Sequence, residues 1–156
     1  MNNFWTRAIT GTVFVTALVL CAIASQLLLA TLFLFFTIVG TYEYFNIVND
    51  QKQTSINQIG GYILSIATYL VIVGTSYFGL SGYYLVILIP IITLLFIAEL
   101  FRLKENSFAN ILHTVMPTLY VAVPFSLFIV GNALTQTSEY TYSADLILMF
   151  FFVLWA

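Results

Sequence analysis

The chain has 156 residues, of which 62% are hydrophobic and only 6% charged, with a mean hydropathy of +1.04. Soluble domains run at about 45–50% apolar and ~25% charged, and a chain this short has too little core to hide the excess, so lipid is the solvent that suits this surface. Four basic and six acidic residues give a net charge of −2 with the basic ones scattered, so a nucleic-acid role has no support.

A bilayer core of roughly 30 Å needs about 20 apolar residues at ~1.5 Å rise each. On that measure the sequence predicts an all-α, polytopic integral membrane bundle. Its full spans are Ala8–Ala24, Leu27–Val48, Ile59–Gly79, Gly82–Phe101 and Ala109–Gly131. A sixth run, Asp145–Ala156, starts like the others and ends too soon to cross. No polar cap and no basic anchor follow it, so the expectation is the N-terminal part of a longer membrane protein, with the chain continuing past Ala156.

Between spans one and two only Ser25 and Gln26 are polar. Two short crossings joined by a tight turn suit this stretch better than one long bent helix. A cleavable signal peptide ending at Ala22-Ile23-Ala24 fits less well, because a second apolar run follows at once. Cys21 lies inside an apolar run without a partner and reads as a small packing residue. Ser55, Ser81, Ser107 and Ser143 precede spans three to six as N-cap candidates. Trp5, Tyr42, Tyr44, Tyr83 and Tyr84 sit near span ends, where amphipathic rings favour the headgroup layer. Pro90 should kink span four. Pro117 and Pro124, seven apart and so on nearly one face, should bend or unwind span five, which either packs kinked or lines a cavity.

Arg7 precedes span one, Lys52 lies between spans two and three, and Arg102 and Lys104 lie between four and five. The remaining connections carry no Lys or Arg. The positive-inside rule therefore puts the N-terminus and the basic connections in the cytoplasm.

Ionisable groups in membrane helices are functional suspects. Glu43, in Gly40-Thr41-Tyr42-Glu43-Tyr44, could hold a metal, orient a basic group or reach the interface. Glu99 stands three residues before Arg102, the spacing of an interfacial ion pair. Arg7 is either a lipid-phosphate contact or an ordinary anchor. His113 has no second His or Cys nearby, so a metal role has little support. Asp145 suits the positive end of its helix, and it and Glu139 belong to the outer side. The chain has no phosphate-binding Gly loop, CxxC, HExxH or GxSxG. No catalytic residue and no metal ligand is expected within it.

Taken in order, Arg7-Ala8-Ile9-Thr10-Gly11, Tyr42-Glu43-Tyr44, Ala98-Glu99-Leu100-Phe101-Arg102, Tyr120-Val121-Ala122-Val123-Pro124-Phe125-Ser126 and Leu154-Trp155-Ala156 resemble the N-terminal half of the bacterial phosphatidate cytidylyltransferases, the CDP-diglyceride synthases. The resemblance implies transfer of CMP from CTP to phosphatidic acid, releasing pyrophosphate and making CDP-diacylglycerol, in the bacterial inner membrane. It implies Mg²⁺, with its ligands and the catalytic signature beyond Ala156, so that this stretch alone should be inactive. Glu43, Arg7, Glu99 and Arg102 are then the candidate polar or lipid-phosphate contacts, with a homodimer left open. A transporter or channel fragment is the alternative, weakened because only span five is proline-rich and no repeat is visible. A small membrane scaffold is the third.

Overall fold

The computed structural model describes residues 3–50, 55–77, 79–102, 106–134 and 144–155, and its elements are all helical. They are α1 (Asn3–Ala24), α2 (Gln26–Asp50), α3 (Gln58–Tyr77), a 3-10 segment (Gly82–Ile87) leading into α4 (Leu88–Phe101), α5 (Ser107–Pro117), a π turn (Thr118–Ala122), α6 (Val123–Leu134) and α7 (Asp145–Trp155). Among the described residues, five continuous stretches are long and apolar enough to cross a membrane: Trp5–Ala24, Gln26–Asp50, Gln58–Tyr77, Gly82–Phe101 and Ser107–Gly131. These correspond to the five full spans read from the sequence. Lys52, Lys104, Glu139, Ser143 and Ala156 lie outside the described residues.

Spans one and two form a hairpin rather than one bent helix. Helical structure breaks at Ser25. Phe14 and Phe36, eleven residues before and after it, meet with ring centroids 5.3 Å apart. Ser25 serves both arms, its N–H bonding Cys21 O and its hydroxyl accepting from Leu27 N–H at 3.1 Å. The next helix, α3, runs back along α2, with Tyr62 against Phe45 and Tyr69 against Ala30. It is the central helix, packed on α2, α4, α5 and α6.

Lipid reverses the usual exposure rule, and α4 shows it. Its only buried residue is Glu99, while neighbours such as Leu94, Leu100 and Phe101 face outward. An apolar side chain loses nothing by facing hydrocarbon, whereas a carboxylate does. Threonines on exposed faces follow the same logic. Thr12, Thr16, Thr31 and Thr93 turn their hydroxyls back onto the carbonyl four residues earlier, at 2.7–2.9 Å.

The helix caps differ from expectation. Helix α3 starts at Gln58, and Asn57 rather than Ser55 caps it, its Oδ1 accepting from Gly60 N–H at 3.1 Å. Ser107 is the first residue of α5, after Asn106 in a left-handed conformation that supplies no side-chain cap. Ser81 does cap the 3-10 segment. Pro90 does not kink a continuous helix. The irregularity falls before it, as the 3-10 segment, and Pro90 occupies the first turn of α4, where a missing N–H costs least.

Span five is locally unwound. Pro124 cannot donate to the carbonyl of Tyr120 and its ring crowds that oxygen. The chain widens just before it into the π turn, with Val123 N–H bonding Thr118 O. The wider turn shifts the register, so Pro117 is buried and Pro124 exposed rather than both sharing a face. It also keeps Asn110, Thr114, Thr118, Ala122 and Ser126, each four residues from the last, buried along one line. In an unbroken α-helix such a line drifts by about 40° per step. Thr114 and Thr118 on this line meet α3 directly: Thr118 Oγ1 lies 3.0 Å from Ser65 Oγ, and Gly61 lets the Thr114 carbonyl approach.

Tyr69 is 1% exposed and its hydroxyl donates to Ala30 O at 2.7 Å, fastening α3 to α2. Tyr69→Phe is expected to cost about 0.6–1 kcal/mol, seen as a small drop in the detergent melting temperature. An unchanged melt would mean that the bond contributes nothing.

Candidate functional site

Glu99 sits one turn from the end of α4, and Arg102 follows as its C-cap, where a cation faces the negative end of the helix. Arg102 Nη1 donates to Glu99 Oε2 at 2.7 Å, the i, i+3 pair expected from the sequence. The expectation of an interfacial pair holds only for its outer half. Arg102 keeps 31% of its side-chain surface, whereas Glu99 keeps 2% and faces the bundle interior. Glu99 Oε1 is buried and has no hydrogen-bond partner among the described residues. It faces a narrow crevice lined by Asn57, Leu95, Ile111, Thr114 and Val115.

Two more residues complete this knot. Arg102 Nη2 donates to Ser55 Oγ at 3.3 Å, and Ser55 N–H donates to Asn110 Oδ1 at 2.8 Å. The start of α3, the end of α4 and the first turn of α5 are thereby tied at one end of the bundle. Sequence reading missed Asn110 altogether. Its signal was present: it opens the buried line of small and polar residues four apart in span five.

Glu43 and Arg7 are not drawn into the knot. Both are exposed, on α2 and α1, and no hydrogen bond or ion pair joins them to it or to each other among the described residues. Next to Glu43, Tyr44 is half-buried rather than a free headgroup ring. Its hydroxyl lies 2.9 Å from His113 Nδ1, and the tautomer decides which of the two donates. That contact gives His113 a structural partner across α2 and α5.

A second feature is wholly apolar. A cavity of about 370 Å³ lies between α1, α2, α6 and α7, lined chiefly by Phe14, Phe33, Phe36, Phe125, Phe128 and Phe150. Phe33 stacks on Phe128 at 5.1 Å and meets Phe125 edge-on at 5.4 Å. Phe14 and Phe36 are eleven residues from the Ser25 turn, ~16 Å along the helices, about half the thickness of a bilayer's hydrocarbon core.

The comparisons with known proteins decide the reaction class. The family model described as "Cytidylyltransferase family" matches residues 5–156. The chain belongs to the cytidylyltransferase family. Among curated proteins and among solved structures, none matches. Family membership makes the chemistry CTP-dependent nucleotidyl transfer, and the five span-length helices make this cytidylyltransferase compatible with a multi-pass membrane protein. The transporter and scaffold alternatives gain nothing from the match. Among the described residues of the cytidylyltransferase, no three His, Cys, Asp or Glu side chains group closely enough to hold a metal ion. By themselves they do not make up a Mg²⁺ centre.

Proposed function

We propose that this cytidylyltransferase acts on phosphatidic acid, making CDP-diacylglycerol for phospholipid synthesis. The observation that carries the reading is the family match over residues 5–156, which coincides with helices built for lipid. A CTP-using enzyme has reason to lie in the bilayer when its acceptor is dissolved there. A phosphate oxygen of the lipid attacks the α-phosphorus of CTP, a new P–O bond forms, and the bond to the departing pyrophosphate breaks. The Phe-lined cavity supports the reading, since it offers an acyl chain an aromatic cleft within the bundle. Mg²⁺ belongs to the proposal as the ion that offsets triphosphate charge.

The test is the full-length gene product in detergent with phosphatidic acid and CTP labelled in its α-phosphate. Label entering the lipid extract, lost with EDTA and restored by Mg²⁺, is the expected result. Label that stays in the aqueous phase would refute the acceptor assignment.

The reading also places the N-terminus in the cytoplasm of a bacterial inner membrane. CTP is a cytoplasmic solute, and by alternation of spans all four basic residues belong to one side. With Cys21 replaced, a cysteine introduced by Thr137→Cys is expected to react with an impermeant maleimide on intact cells, and one introduced by Gln53→Cys to be protected. The reverse pattern would invert the orientation.

A further inference from the structure

A guanidinium has five N–H donors in a planar fork. Arg102 uses two of them, on Glu99 Oε2 and Ser55 Oγ, and three are left unassigned among the described residues. Both bonded acceptors are themselves held. Glu99 is 2% exposed on a helix that buries nothing else, and Ser55 is tied by its N–H to Asn110. The Arg102 side chain is partly exposed, just past the end of a span-length helix, where the headgroup layer is expected.

Glu99 makes little sense as a device for stability. A buried carboxylate with one bare oxygen is expensive to keep in lipid, and an apolar residue there would pack without that cost. Its return is geometric: it fixes the plane of Arg102 from behind, while Ser55 fixes the other terminal nitrogen. What remains presented is a rigid set of donors suited to two oxygens of a tetrahedral anion. Asn110, at the far end of the chain of bonds, lies in the first turn of α5, so the positive end of that helix dipole stands at the same end of the bundle.

We propose that Arg102 binds a phosphate group, from a lipid headgroup or from soluble phosphate, with Glu99 and Ser55 as its positioning residues. Because Glu99 offsets the arginine's charge, the site selects by fork geometry rather than by net charge. Lysine, a point charge without the fork, is a poor substitute. The proposal deepens the phosphatidate reading and rests on it for the identity of the lipid.

The experiment measures binding by the full-length protein in detergent without CTP. The probes are dioctanoyl phosphatidic acid, dioctanoyl phosphatidylglycerol and inorganic phosphate. Arg102→Lys and Glu99→Gln are each expected to weaken phosphatidic acid binding on the order of tenfold while the protein stays folded by circular dichroism. Competition by millimolar inorganic phosphate with the same Arg102 dependence would identify soluble phosphate as the source. A preference for phosphatidic acid without such competition would identify the lipid headgroup. Should Arg102→Lys fail to fold, Ser55→Ala, which leaves the ion pair intact, is expected to weaken binding about threefold. Unchanged affinity in the folded variants overturns the proposal. Arg102-dependent binding without CMP transfer would sink the function and leave the site standing, and transfer without that dependence would sink the site alone.

Discussion

Gly61→Leu is expected to prevent the bundle from assembling, with little monodisperse protein recovered in detergent. Gly61 lies where α3 crosses both α2 and α5. A Cβ there would collide with the Phe45 ring and stand 2.9 Å from the Thr114 carbonyl oxygen. Phe45 is 1% exposed and has nowhere to swing, and the carbonyl moves only if α5 moves. Gly61→Ala should already cost about 1–3 kcal/mol as overpacking, and leucine more. Gly11 and Gly131 have nothing within 4 Å of where a methyl would stand, so alanine at either should be tolerated or slightly stabilising through helix propensity. A Gly61→Leu protein that melts like the parent would mean that α3 does not make this close crossing.

Arg102→Ala should be the most damaging single change at the polar end. Among the described residues it removes the cation paired with Glu99 and strands a carboxylate that already has one unpartnered oxygen. Breaking a buried pair from one side costs on the order of 3 kcal/mol, reduced here because the arginine is itself partly exposed. Replacing both partners tells a different story. Glu99→Leu with Arg102→Leu removes the desolvated charge along with its counterion and should recover most or all of the loss. Thermal melts of the single and double variants give the comparison. A double variant no better than Arg102→Ala would mean that the pair is worth more than its desolvation costs.

These two sites show where sequence reading reached and where it stopped. Five spans could be read because a helix in lipid must be apolar along its whole length, a property of each segment alone. The pairing of Glu99 with Arg102 was equally local, since residues three apart on a helix share a face. The disruption of span five followed from Pro117 and Pro124, but its form did not. A π turn rather than a kink brings Ala122 and Ser126, which follow it, onto the buried line that Asn110, Thr114 and Thr118 begin.

Exposure was harder to read. Glu43 and Glu99 are both single acids near a span end, yet one faces outward and the other inward. Span four is apolar on every side, so periodicity cannot say which face meets protein. The same holds for Ser55, which looks like a cap and acts as a tie to Arg102 and Asn110. The residues alone specify a multi-span helical protein with the local features of a cytidylyltransferase, because hydropathy and short-range spacing act within one segment. That Ser55, Glu99, Arg102 and Asn110 meet comes from the packing of three helices side by side, and hydrocarbon on all sides leaves no mark in the sequence of which neighbour a helix will choose.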